Sequence, residues 1–286
     1  MSGFEMSVGN AEIVALTDMN CAFPTPLPEL WPNVPYDAWE PFREMFPDTF
    51  QGERMRIEIG CYLVRSQGKT ILIDTGYGPG PIDYIGGLRG ELMAELASKS
   101  VDPADVDTVF LSHLHIDHVG WNTREENGKR VPAFPNARYV IHQDDIDYFS
   151  RPDVQAAGRY PFYNELVQPL ADLNVLDGLT SDANLTDEVR AIHTPGHTPG
   201  HMSVMVSSGG ERAMIQGDVL IHPAQVTELE WTPIFDGDPK TAIKTRRKML
   251  DQLEVDGTTV VSCHFTKPGF GRIVRANGKR YWQVGD

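Results

Sequence analysis

His113-Leu114-His115-Ile116-Asp117-His118 follows directly on the short apolar run Thr108 to Leu111. Residues two apart on an extended chain project to the same side, so His113 and His115 can converge on one ion. The chain must then turn, and Asp117 and His118 are free to serve a second ion. Imidazole and carboxylate suit zinc and similar first-row cations. A lone histidine is usually structural. Three histidines and an aspartate within six residues point instead to a metal site.

Working outward, more groups of the same kind stand at the ends of β-type runs. Thr194-Pro195-Gly196-His197-Thr198-Pro199-Gly200-His201 follows the run ending at Ile192, and its prolines and glycines impose a sharp turn that can aim an imidazole inward. Gly217-Asp218 follows Ala213 to Ile215, and His264 follows Thr258 to Val261. Side chains gathered from several strand ends onto one sheet edge form a common active-site geometry. His142, His193, His201 and His222 lie outside this ligand pattern. His193 and His201 read as supports of the turn, and His222 as a candidate pocket residue.

The rest of the chain alternates short β-type runs with helical stretches, which predicts one α/β domain over 1–286 with two central sheets. Strands are expected at Glu12 to Leu16, Ile57 to Arg65, Thr70 to Ile73, Arg138 to Ile141, Val189 to Ile192, Met202 to Val206 and Lys279 to Gln283, with a turn at Gln67-Gly68. Helices are expected at Leu88 to Ala97 and from Asp238-Pro239 to Leu253, where Asp238 has the chemistry of an N-cap. The segment at about 21–55 differs. Seven prolines lie between Pro24 and Pro47, interleaved with Phe23, Trp31, Tyr36, Trp39, Phe42, Phe46 and Phe50. So many prolines are expected to exclude regular helix or sheet, leaving an aromatic arm that covers the active site, packs on its own body, or makes a homodimer contact.

Composition narrows the function. The formal charge of -15 disfavours nucleic acid, which is bound by neutralising phosphates. No run of about 18 apolar residues is present, so no membrane span is expected. Met1 to Asn10 lacks a basic region followed by an apolar run, and the three cysteines lack framework spacing. Both features lead us to expect a cytoplasmic protein without disulfides. Cys263 reads as a small buried residue ending a strand.

Leu72-Ile73-Asp74-Thr75-Gly76, the cluster from His113 to His118, His197, Asp218 and His264 occur in an order that resembles the metallo-β-lactamase superfamily, from about Ile57 onward. The resemblance implies an αββα sandwich, two mixed sheets flanked by helices. It also implies two divalent cations, zinc first, with manganese, cobalt or iron accepted by the same ligands. By this resemblance His113, His115 and His197 hold the first ion, Asp117, His118 and His264 hold the second, and Asp218 bridges them. Asp74 would orient a ligand histidine, against the rival reading of a simple turn residue after a strand. The expected chemistry is attack by a metal-bridging hydroxide, with Asp117 and Asp218 as the catalytic carboxylates.

Gly217 to Pro223, the Asp238 to Leu253 helix and His264-Phe265 are similar to the branch containing N-acyl homoserine lactonases and methyl-parathion-hydrolase-like enzymes, closer to the latter. Many homoserine lactonases carry a tyrosine where Ile221 stands. Lactones, aryl esters or phosphotriesters are therefore the expected small-molecule substrates, in a pocket built from Phe23, Trp31, Ile221, His222 and Phe265. The alternatives are a thioesterase similar to glyoxalase II and a mononuclear-iron oxidoreductase of the same fold. No basic C-terminal helical region is recognised for the former. The flavin-linked diiron reductases carry an acidic residue where His115 stands and an additional flavin domain, neither of which is expected here, which leaves the mononuclear-iron type as the oxidoreductase alternative.

Overall fold

The structure is a computed structural model and describes residues 4–156, 162–267 and 269–285. Its strands are laid down across two large sheets in chain order. The first sheet runs through Glu5–Val8, Ala11–Pro26, Arg54–Ser66, Lys69–Ile73, Thr108–Phe110, Arg138–His142 and Leu176–Leu179. The second runs through Ala183–Asn184, Val189–His193, Met202–Ser208, Glu211–Ile215, Thr259–Val261, Phe270–Ala276 and Lys279–Val284. The last four strands of the first sheet are parallel, as are Glu211–Ile215 and Thr259–Val261, so both sheets are mixed. Parallel neighbours need a crossover, and helices Leu92–Ser98 and Pro239–Asp256 supply two of them.

The period-2 alternation of a strand explains the layers. In Arg54–Ser66, Tyr62 and Val64 enter a core shared with Val189, Val204 and Ile215 of the second sheet. Cys61 and Leu63 enter another core, with Leu92, Leu96 and Phe149 of the outer helices. On the far side, Met214, Val260 and Ile273 pack against Met249, Leu250 and Leu253 of the long helix. The result is helix, sheet, sheet, helix: the expected αββα sandwich. The long helix starts where expected, with Asp238 accepting from the Lys240 and Thr241 backbone N–H groups at 3.1 Å. It ends on Gly257, whose φ of 61° suits a left-handed cap.

Three local expectations need correction. The first long strand is Ala11–Pro26 rather than Glu12 to Leu16. A register shift between Thr17 and Met19 turns Asp18 inward, the usual effect of a β-bulge. The helix expected from Leu88 begins at Leu92, because Asp18 accepts from Leu92 N–H and its carbonyl from Glu91 N–H, fixing the start there. The proline-rich arm is not irregular throughout. It holds helices Leu27–Leu30 and Glu40–Met45 and 3₁₀ turns Tyr36–Trp39 and Pro47–Thr49. Three of the four carry proline at the first or second position, where its missing N–H costs nothing. The arm packs on its own body: Trp31, Trp39 and Phe42 are buried with Ile221 and Ala224, and Trp39 also meets Trp231 at 4.6 Å.

Candidate metal centre

The carboxyl ends of both sheets meet along one edge, the place where open α/β sheets bind their ligands. Asp74 follows strand Lys69–Ile73, and His113 follows Thr108–Phe110 after the two-residue link Leu111-Ser112. Asp218 follows Glu211–Ile215, and His264 follows Thr259–Val261. His197 sits in the turn joining Val189–His193 to Met202–Ser208, and Asp117 and His118 lie on the one-turn helix Ile116–Val119.

These residues form two donor groups that share one carboxylate. In the first, His115 Nδ1 lies 3.0 Å from His113 Nε2 and 2.9 Å from His197 Nε2. Asp218 Oδ2 is 3.2 Å from His197 Nε2 and 3.8 Å from His113 Nε2. In the second, Asp218 Oδ2 is 3.1 Å from His264 Nε2, and Asp218 Oδ1 is 3.4 Å from His118 Nε2. Asp117 Oδ2 stands 3.6 Å from His264 Nε2 and 3.7 Å from His118 Nε2. All seven residues expected from the sequence are thus brought together. Cys263 joins them, its Sγ 3.2 Å from Asp218 Oδ1. Burial and Asp218 push its thiol well up, which keeps it protonated.

The outward nitrogens explain why the inward ones point where they do. His118 Nδ1–H donates to Asp74 Oδ2 at 2.8 Å, His197 Nδ1–H to Asp236 Oδ1 at 3.0 Å, and His264 Nδ1–H to the Glu58 carbonyl at 2.9 Å. His113 Nδ1 lies 3.0 Å from Ser112 Oγ, which itself donates to Asp74 Oδ2. With each of these four rings committed outward through Nδ1–H, its Nε2 presents a lone pair to the centre. Lone pairs facing each other at about 3 Å repel unless a proton or cation lies between them. His118 Nε2 is buried and makes no hydrogen bond. Neutral imidazoles, a buried carboxylate and an orphaned nitrogen are the donor set that divalent zinc-like cations take.

Charge divides the ring of histidines. Burial and the neighbouring imidazoles hold His113 and His115 well below the ordinary histidine value. Burial also opposes protonation of His118, His197 and His264, but Asp218 and the other nearby carboxylates outweigh it, bringing His197 to about 9. Asp218, though buried, is held well below the carboxylate range by the surrounding imidazoles. Cations entering the site take the place of those protons.

Asp74 is both a turn residue and a support. Its φ of 60° is unusual for a non-glycine residue, and its carboxylate accepts from Ser112 N–H at 2.7 Å as well as from His118. Strain of this kind persists where neighbouring bonds over-determine it. Asp74→Asn keeps the left-handed turn accessible but removes the charge behind His118. It is expected to weaken metal affinity about 10- to 100-fold with a small change in Tm, measured by chelator competition. An affinity equal to the parent's would leave Asp74 a turn residue alone.

The site opens into a cavity of about 780 Å³. His115, Asp117, His197, Asp218 and His264 lie in its wall, with Phe23, Met55, Ile57, Ile116, Ile221, Ile234 and Phe235 as apolar lining. Phe23 and Ile221 therefore stand where the sequence suggested. Trp31, His222 and Phe265 do not line it. Trp31 is fully buried edge-on against Trp39. His222 is buried among Trp39, Phe46 and Phe50, with Nε2 bonded to Thr49 Oγ1 at 2.8 Å. Phe265 turns away from its neighbour His264 to pack on Trp282. Sequence reasoning missed Asp236, which also pairs with buried Arg246, and Asp145, whose buried carboxylate accepts from Leu114 N–H, Thr198 Oγ1 and Gly200 N–H. Asp145 thereby ties the loop of His113 and His115 to the loop of His197. His201 accepts from Asp218 N–H at 2.9 Å, which makes it a support of that residue.

Known proteins resemble this chain in sequence and in fold. N-acyl homoserine lactonase AttM of Rhizobium radiobacter is 27% identical over 177 residues, covering 59% of this chain and 62% of that protein. The chain thus spans about three-fifths of the length of that relative. An N-acyl homoserine lactonase of Bacillus thuringiensis is 20% identical over 228 residues, 74% of this chain and 83% of that protein. Among solved structures, the hydrolase AbOPH of the beta lactamase superfamily superposes with a TM-score of 0.85 at 26% identity, covering 100% of this chain and 98% of that one. AidC, a dizinc quorum-quenching lactonase in complex with a product, shares the fold with a TM-score of 0.82 at 23% identity, covering 99% and 97%. The model of the metallo-beta-lactamase superfamily matches residues 59–264, from the strand that feeds both cores to the last of the converging histidines, and the chain belongs to that superfamily.

Proposed function

We propose that this chain is a dinuclear metal-dependent hydrolase of small, uncharged lactones, aryl esters or phosphotriesters. The observation that carries the reading is the sharing of one carboxylate, Asp218, by two groups of histidines at the floor of an apolar cavity. His113, His115 and His197 would hold one ion, and Asp117, His118 and His264 the other, with Asp218 between them. Zinc suits these donors best, and manganese, cobalt or iron fit the same set. Two such ions supply Lewis acidity and a water made acidic enough to act near neutral pH.

The chain's own residues do the rest. Asp74, Asp236, Ser112 and the Glu58 carbonyl hold the imidazoles in one tautomer, so the ligand atoms need no reorganisation. Asp117 is half-buried, stands at the cavity wall, and keeps one oxygen toward His118 and His264. That position suits it to orient the attacking water and to carry its proton to the leaving oxygen. Phe23, Ile57, Ile221 and Phe235 keep bulk water off the reacting bond and favour an apolar substituent. Among the described residues no lysine or arginine lines the cavity. That favours a neutral substrate over an anionic one such as a glutathione thioester. The three free cysteines are all buried, in keeping with a reducing, cytoplasmic setting.

The test is metal content on chelator-free protein together with turnover of a homoserine lactone, an aryl ester, a phosphotriester, a thioester and a β-lactam. About two ions per chain, with best turnover among the first three substrates, is the expected result. One iron per chain, or a thioester as the best substrate, would replace this reading with one of its rivals.

A further inference from the structure

Beside the Lewis acidity that bound ions would supply, a hydrogen-bond donor aimed at the oxygen that gains negative charge adds to transition-state stabilisation as an ester or lactone is attacked. Its described wall offers few groups able to serve. His115, Asp117, His197, Asp218 and His264 belong to the donor set already described, Asp236 is committed to His197 and Arg246, and the Ile221 side chain has no polar atom, its backbone N–H being donated to Gln225. The hydroxyl groups in the wall belong to Tyr77, Tyr84 and Tyr148.

Tyr77 is the fixed one. It lies on the loop after Asp74, between Gly76 at φ +62° and Gly78 at φ +93°. Its backbone N–H donates to the buried Asp18 carboxylate at 2.7 Å. The same carboxylate accepts from Leu92 N–H and Trp121 Nε1–H, so the loop is tied to a helix and to the metal-site turn. A Cβ on Gly120 would come within 1.9 Å of the Tyr77 carbonyl carbon, so that neighbour must be glycine for the loop to sit there. The Tyr77 residue is 7% exposed, and Tyr84, on the rim, is 52% exposed. The Tyr84 hydroxyl donates to the Tyr77 oxygen. The Tyr77 proton is then left without an acceptor among the described residues.

We propose that the Tyr77 hydroxyl, held by Tyr84, donates a hydrogen bond to the carbonyl or phosphoryl oxygen of a substrate seated in this cavity. The inference rests on the hydrolase reading above. Burial, with the Asp117 charge nearby, holds the phenol far above the ordinary tyrosine value, which favours the protonated, donating form. Tyr84 saturates one lone pair of the Tyr77 oxygen and so directs the free O–H. Because the substrate oxygen becomes strongly negative only in the transition state, the bond should appear in kcat more than in KM.

The experiment compares Tyr77→Phe and Tyr84→Phe with the parent on a homoserine lactone and on aryl esters of graded leaving groups, with metal content and Tm measured on each. Tyr77→Phe is expected to lose roughly 10²-fold in kcat, equally across leaving groups, with parental metal content. Tyr84→Phe is expected to lose less, since the Tyr77 donor remains but is less well aimed. Activity of Tyr77→Phe within about two-fold of the parent would overturn the inference and leave the hydrolase reading intact. So would a loss confined to poor leaving groups, which would move the phenol to the leaving oxygen, or a loss that tracks metal content, which would make its role structural. A parent that turns over no substrate would overturn the hydrolase reading itself, and this inference with it.

Discussion

Asp218→Ala is expected to remove hydrolysis below detection and to lower metal content from about two ions per chain to one or none. The reason is its place between the two donor groups. Four imidazole nitrogens lie within 3.1–3.8 Å of its two oxygens, and it is the carboxylate common to both groups. Without it, one group retains three neutral nitrogens and no carboxylate, and the other two histidines with Asp117 as its one remaining charge, so both ions lose the counter-charge they share. Fold stability in the absence of metal should change far less. Asp218 stands beyond the end of strand Glu211–Ile215, and its backbone N–H to His201 survives the substitution. Asp218→Asn separates shape from charge: it should also lose metal, because a neutral amide cannot offset two dications. Either variant retaining both the full metal complement and turnover would remove Asp218 from the centre of the site.

The converging histidines and Asp218 were legible because their signal is local and dense. His113, His115, Asp117 and His118 fall in one hexapeptide after a strand-like run, and the Pro-Gly repeat around His197 announces a forced turn. The layers were legible for the same kind of reason, since strand alternation and the Asp238-Pro239 cap are short-range patterns. What was not legible depends on distant pairing. Asp236 lies between Phe235 and Gly237 with no periodicity around it, and it meets His197 across 39 positions. Asp145 lies in the first turn of helix Gln143–Phe149, which no sequence pattern announced, and its carboxylate ties together two loops. Asp18 falls beyond the strand expected at Glu12 to Leu16, and only the bulge in the longer strand turns it inward. The pocket residues were the weakest expectation, because hydrophobicity does not say which face of the arm is turned to the cavity. Phe23 and Trp31 are equally aromatic, but one lines the substrate space and the other fills the core beneath it.

Asp236→Ala should combine a large stability loss with a metal defect, and the two can be separated. Arg246 is 1% exposed, and its guanidinium donates to the Val219, Leu229 and Trp231 carbonyls and to Asp236. Removing the carboxylate leaves a buried cation with neutral partners only, a change that costs about 3–5 kcal/mol and lowers Tm by roughly 10 °C. The same substitution frees His197 Nδ1, so the ring loses its tautomeric preference and its aim, and metal affinity should fall about 10- to 100-fold. Asp236→Ala combined with Arg246→Met removes the stranded charge while filling similar volume. Much of the lost stability should return in this double variant, but the metal affinity should not, because nothing restores the acceptor behind His197. If affinity recovered together with Tm, Asp236 would be a counter-ion of Arg246 alone, and the orientation of His197 would have to come from the turn at Pro195 and Gly196. That alternative is physically weaker, since a turn fixes where the Cα stands but leaves the ring free to rotate about χ2.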